Sequence, residues 1–192
     1  GDAMSIADAI VLGAIATATA PAATLMVVRQ YKAKVFGCLT ADGEVDLTSM
    51  QILMEASKGL SVTFHRAFDV CRNPQKALEE IIELGCNRIL TSGQQPTAEQ
   101  GIGLLKELQG LAAGRITLLA GCGVNENNIA RIAAETGINE LHFSARESIQ
   151  SEMKFRNEVV SMGGTVHINE YERNVTSVRR VKETVEALYK GM

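Results

Sequence analysis

The sequence predicts an α/β protein of barrel type, and three observations carry that expectation. Short apolar runs recur along the chain, segments with helical spacing separate them, and small or polar residues gather at the carboxyl end of each run. A repeat of about 25 to 30 residues per strand and helix, with the polar groups always on the same side, favours a barrel over an open sheet.

The elements follow in order. Val35 to Thr40 reads as a strand closed by the turn Ala41-Asp42-Gly43, after which Asp46 can cap a helix carrying Met50, Leu53 and Met54. Leu60 to Phe64 is the second run. Asn73-Pro74 then opens a helix carrying Ala77, Leu78, Ile81, Ile82 and Leu84, which Gly85 stops. Arg88 to Thr91 runs into Ser92-Gly93, and Thr97-Ala98-Glu99-Gln100 matches a capping box ahead of Ile102, Leu105 and Leu108. Arg115 to Ala120 runs into Gly121-Cys122-Gly123, and Asn125 can cap a helix with Ile129, Ile132 and Ala133 that ends at Gly137. Glu140 to Phe143 runs into Ser144-Ala145-Arg146. The tail from Asn174 to Met192 spaces Val178, Val181, Val185 and Leu188 as one helix face, with Arg179, Arg180, Lys182 and Glu186 outside. That face can pack on the barrel or serve a homo-oligomer contact.

The run into His65-Arg66-Ala67-Phe68-Asp69 carries the most chemistry. Period-two alternation puts Val62 and Phe64 on one face and Thr63 and His65 on the other, with Arg66 and Asp69 in the following loop. His65 is suited to acid or base work near neutral pH, Asp69 to orienting a partner or titrating itself, and Arg66 with Arg146 to holding an anionic substrate. The plainer alternative is a core histidine beside a local Arg66–Asp69 ion pair.

A second cluster comes from the later strand ends. Gly121, Gly123, Ser144 and Arg146, with Ser92 and Gly93 beside them, supply the parts from which barrels build phosphate or carboxylate sites: close-approach glycines, free backbone N–H groups and a cation. The glycines serve equally as tight strand-to-helix turns. Together these groups suit isomerase, lyase or hydrolase chemistry on a small phosphorylated or carboxylated molecule, without deciding whether any reaction is catalysed. His142 alternates with Leu141 and Phe143 inside the last strand and His167 lies in a weakly patterned tail, so both rank below His65.

Composition narrows the partners. The chain has 192 residues, a net charge of −3 and no long basic run, which argues against nucleic acid. Cys38, Cys71, Cys86 and Cys122 are widely spaced, without a Cys-x-x-Cys pair, as expected of reduced thiols in a cytoplasmic protein. Residues 1–33 are Ala/Thr-rich and carry Asp2 and Asp8 ahead of the first basic residue, Arg29, unlike a secretory signal. Their uncharged stretch from Ile10 to Val28 is only weakly apolar, so a surface helix is expected rather than a membrane span.

Five words in order, Val35 to Thr40, Ser61 to Asp69, Arg88 to Gln94, Gly121 to Asn125 with Asn127-Asn128, and Met153-Lys154-Phe155-Arg156-Asn157, make residues 34–164 resemble the CutC family. The resemblance implies a (β/α)8 TIM barrel and a role in copper homeostasis, with copper as Cu(I) bound or trafficked in the cytoplasm. Soft thiolates suit Cu(I), so Cys38, His65 and Cys122 are the candidate ligands near the strand ends. Family members carry three further strands and an Arg-Pro-Arg-Gly-Gly word before the run at Val35, which residues 1–33 do not show. With 192 residues against the ~250 of a full barrel, about five βα units are expected, in a domain of residues 34–192 that is incomplete at its amino end. The basic Lys154 and Arg156 are expected on a solvated helix or over the barrel mouth.

Overall fold

The computed structural model describes residues 33–157, 159–160 and 169–191. His167 and nearly all of the Ala/Thr-rich segment lie outside the described residues.

Five parallel strands form one sheet in sequence order: β1 (Ala33–Phe36), β2 (Ser61–Phe64), β3 (Arg88–Thr91), β4 (Thr117–Gly121) and β5 (Glu140–His142). Between them run α1 (Leu47–Ala56), α2 (Pro74–Glu83), α3 (Ile102–Ala112) and α4 (Ile129–Thr136). This is the strand-then-helix order of a barrel, with five βα units.

The helix boundaries have local causes. Asp46 accepts the Ser49 N–H at 3.0 Å and so caps α1. Asn73 accepts the Lys76 N–H at 3.0 Å ahead of Pro74, and Gly85 leaves α2 with φ +82°. Gly137 ends α4 in the left-handed region with φ 73°. Two starts differ from expectation. Thr97 does accept the Gln100 N–H, at 3.3 Å, but residues 97–101 form a turn and α3 begins at Ile102. The turn is held elsewhere: Ala98 donates to the Cys122 carbonyl at 2.9 Å, and Gly101 lies so close to the preceding loop that a Cβ there would stand 1.9 Å from the Ser92 oxygen. Asn128, not Asn125, is the cap residue of α4. Asn125 instead shapes the loop, donating to the Gly123 carbonyl at 2.8 Å and accepting the Asn127 N–H at 2.9 Å.

Strand alternation divides the sheet. Val62, Phe64, Ile89, Leu118 and Ala120 are buried with Met50, Leu78, Ile81, Leu105, Leu108, Ile129 and Ile132 of the helices. Burying each such large side chain is worth about 1.5–3 kcal/mol, which makes this layer the main source of stability. On the other face Arg88 of β3 reaches across β4 to Glu140 of β5, at 2.6 and 3.0 Å, and donates to Ser61 at 3.2 Å. Strands two apart stand roughly 9.6 Å from each other, so two long side chains bridge that gap on the sheet's inner face.

The tail departs from the expected single helix. Arg146, expected in a loop, begins β6 (Arg146–Gln150), which pairs antiparallel with β7 (Glu172–Thr176). Only Val178–Lys190 forms the last helix, α5, because Glu172–Thr176 is committed to that ladder and Ser177 then caps, accepting the Arg180 N–H at 3.4 Å. Met153–Asn157 is exposed and irregular, so Lys154 and Arg156 do not lie on a helix. No described helix is long and apolar enough to cross a membrane.

Candidate functional site

The side chains after β2 are tied to the loop after β3. The Asp69 carboxylate, 6% exposed, accepts from Arg66 Nε at 2.6 Å, Thr91 Oγ1 at 2.6 Å, Ser92 N at 3.0 Å, Ser92 Oγ at 3.0 Å and Gln94 N at 3.2 Å. Every lone pair of Asp69 is engaged, so its position is that of a hub between two loops. Arg66, aligned by this bond, also donates from Nη2 to Ser92 Oγ at 2.9 Å, and the Asp69 bond raises its already high pKa further. Ser92 is fully buried, and its one hydroxyl proton is divided between Asp69 and the Gln95 carbonyl, which stands 2.5 Å from Oγ. Gly93, at φ +68°, packs on the Gly101 backbone. The structure thus brings Arg66, Asp69 and Ser92 together, and places Ser92 and Gly93 in the wall behind Arg66.

His65 caps the 3-10 turn Arg66–Val70, where its Nδ1 accepts the Ala67 N–H at 3.1 Å. That bond takes the Nδ1 lone pair and leaves the proton on Nε2. Its ring stands edge-on to Phe64, with centroids 6.2 Å apart.

A cleft of about 440 Å³ opens at the carboxyl ends of the strands, lined by Arg66, Leu90, Cys122, Gly123, Val124, Asn125, His142, Phe143, Ser144, Ala145, Arg146 and Arg180. Three arginines line it and no carboxylate does. Arg66 is balanced by Asp69 and Arg180 by Glu126, through two bonds of 3.1 and 3.0 Å. Arg146 is exposed and makes no ion pair with any described carboxylate. Arg180 also donates to the Arg146 carbonyl, which fixes the start of β6 against α5.

Two lining residues were ranked low or placed elsewhere by sequence. His142 turns into the cleft because it holds the same inner parity as Glu140, and opposite it in the register stands Gly121. A Cβ on Gly121 would lie 2.7 Å from Leu90 Cδ1 and 3.3 Å from His142 Cβ, so only glycine leaves the ring this space. Burial lowers the His142 pKa. Arg180, expected on the solvated side of α5, is half-buried because Glu126 draws it inward. The signal for His142 was its period-two relation to Glu140; nothing in the sequence pointed to Arg180.

The candidate metal ligands do not converge. Cys38 packs against the core layer, His65 lies on the inner side against Gly37, and Cys122 is in the cleft with its thiol donating to the Pro96 carbonyl at 3.1 Å. Among the described residues no three His, Cys, Asp or Glu side chains are grouped to hold a metal ion. The residues present do not fit a copper centre.

Parallel βα units with an arginine-lined cleft at the strand carboxyl ends define an α/β protein of TIM-barrel type. The chain belongs to the CutC family: the family model matches residues 19–147, beginning inside the Ala/Thr-rich segment. It is 76% identical over 154 residues to a CutC family protein of Bacteroides thetaiotaomicron, covering 80% of this chain and 62% of that protein. A Porphyromonas gingivalis relative is 47% identical over 154 residues, again covering 80% and 62%. The chain therefore spans less than two thirds of the length of these relatives. It is also similar to the crystal structure of CutC from Streptococcus agalactiae, described as a candidate copper homeostasis protein, at 28% identity and a TM-score of 0.56, covering 65% of each chain.

Proposed function

We propose that the cleft binds a small phosphorylated or carboxylated molecule. The observation that carries this reading is the lining: Arg66, Arg146 and Arg180 with no carboxylate among them, and Arg146 without an ion-pair partner among the described residues. Guanidinium groups present paired N–H donors that match phosphate and carboxylate oxygens. Gly123 and Ser144 add backbone and hydroxyl donors at the two strand ends where barrels commonly hold phosphate. The apolar side of the cleft, Leu90, Val124 and Phe143, suits the carbon skeleton of a small metabolite. In this reading Asp69 and Ser92 position Arg66 and do not touch the ligand.

The copper homeostasis description of the Streptococcus agalactiae relative enters here as cargo. The supporting observation is a single soft donor, the Cys122 thiol, inside the same cleft. One thiolate without converging partners holds Cu(I) weakly, so the anion reading leads. Calorimetric titration with inorganic phosphate tests it: millimolar or tighter binding is expected, weakened about tenfold by Arg146→Met. Absence of binding up to about 10 mM overturns it. Under reducing conditions, tight Cu(I) binding lost on Cys122→Ser would instead favour the cargo reading.

A further inference from the structure

We propose that His142 is the proton-transfer group of this cleft, taking a proton from a bound molecule and returning it while arginines hold that molecule's phosphate or carboxylate. The inference rests on the anion-binding reading and adds to it an acid–base step and a substrate class. That class is a small anionic metabolite with an acidic C–H or O–H within reach of the imidazole.

The geometry separates the two described histidines. His65 has its Nδ1 committed to the Ala67 N–H at 3.1 Å, whereas the His142 ring makes no hydrogen bond to any described residue and lines the cleft. Gly121 beside it leaves room for the half-buried ring at the cleft wall, and Leu90 and Phe143 supply an apolar flank. Burial favours the neutral imidazole, which is the proton-accepting form. The ionisable groups that share the cleft with the ring are Arg66 after β2, Cys122 after β4, Arg146 on β6, and Arg180 on α5, which is paired with Glu126. On its own strand, Glu140 is taken up by Arg88.

The step balances without a further reactant. A ring nitrogen lone pair takes the proton, the imidazole becomes imidazolium, and the electron pair left on the ligand is stabilised by the arginines. The proton then returns to the same or a neighbouring atom, so no oxidant or reductant is needed.

Sulfate is the probe, because it holds no titrating proton near neutrality. Calorimetry in two buffers of different ionisation heat should show proton uptake as sulfate binds near pH 6.5. Affinity should rise about tenfold from pH 8 to pH 5.5, the size of a one-unit pKa change. In His142→Asn the uptake should vanish and the pH dependence flatten to within about twofold. Ring 15N shifts of His142 in the unsubstituted protein should follow the same titration, a readout independent of how the variant folds. Sulfate binding without proton uptake, or uptake that persists in His142→Asn, overturns the proton-transfer role and leaves the anion site standing. No sulfate binding in the unsubstituted protein overturns both.

Discussion

Replacing Asp69 with asparagine keeps the shape of the loop hub and removes its charge. In the native protein Oδ1 accepts Thr91 Oγ1, Ser92 N and Gln94 N, while Oδ2 accepts Arg66 Nε and Ser92 Oγ. Whichever way the new amide turns, its NH2 group faces at least two donors. With the amide oxygen kept toward Ser92 and Gln94, the bond lost is the one to Arg66. A hydrogen bond to a charged group is worth about 1.5–3 kcal/mol, and since Arg66 is 42% exposed, solvent discounts its Coulombic share. The expected loss for Asp69→Asn is therefore about 2 kcal/mol. For a chain of this size that lowers the Tm by about 4–8 °C. Asp69→Ala also strands the Ser92 and Gln94 N–H groups, so a loss of about 4 kcal/mol is expected. Arg66→Met leaves Asp69 with its other donors and should cost about 1 kcal/mol, yet weaken phosphate binding at least as much as Asp69→Asn does. Urea unfolding for stability and calorimetry for phosphate read the two effects separately. If Asp69→Asn and Arg66→Met prove equally mild, below about 0.5 kcal/mol, the hub reasoning is refuted.

Gly101→Ala should cost about 3 kcal/mol or more or prevent folding, because the new Cβ would meet the Ser92 oxygen at 1.9 Å; soluble, fully stable protein by thermal melt would contradict this. Burial pushes the Cys71 and Cys86 thiols up to about 11, so at pH 8 these two should react with a thiol reagent about 100-fold more slowly in the native protein than in the unfolded chain, followed by mass spectrometry. His142 has a folded pKa below its unfolded value, so the unfolded chain binds the extra proton as pH falls below about 6.5. Stability should therefore decline there and level off below the folded pKa, and that share of the decline should be absent in His142→Asn unfolding curves. Glu126→Gln should lower stability and raise sulfate affinity about two- to fivefold at low salt, since it removes the carboxylate that offsets Arg180; a fall in both would show that Glu126 acts by positioning.

Local chemistry made the βα units legible. Asp46, Asn73-Pro74, Gly85 and Gly137 each act on their own helix end, through bonds to residues within one turn, and all four behave as expected. The same logic misplaced the start of α3. Thr97 and Gln100 form their local bond, but the turn's position is set by the Ala98 bond to Cys122 and by the Ser92–Gly101 approach, both across distant sequence. The tail failed for a related reason. Val181, Val185 and Leu188 lie on the packed side as expected, but Val178 is 60% exposed at the helix start, and β7 exists only because β6 is there to pair with it. Arg180 carries no local signal at all, since its place in the cleft follows from Glu126, 54 residues away. Residues whose roles depend on neighbours in the chain are readable from sequence, and residues whose roles depend on tertiary partners are not.

The same parity rule that assembles the arginine cleft separates the thiol and imidazole donors. Phe36 and Cys38 share the side that packs under the helices, while Thr63, His65, Glu140 and His142 share the inner side of the sheet. Bringing Cys38 to His65 would require a one-residue slip of β1, which would move Phe36 out of the core layer and expose it. Such a slip costs the partial burial of a large side chain, on the order of 1 kcal/mol for the half-buried Phe36. A single Cu–thiolate bond formed on an exchanging cargo ion must exceed that before the Cys38 site exists. The inner parity needs no rearrangement: it already directs His142 to the mouth, where the turn after β2, the start of β6 and helix α5 each deliver one guanidinium group. An anion placed there would meet Arg66 and Arg180, already held by Asp69 and Glu126, together with Arg146, which has no ion-pair partner among the described residues. In the proposed reading, the preorganisation of Arg66 and Arg180, more than the number of arginines, favours an anion as the ligand of this cleft.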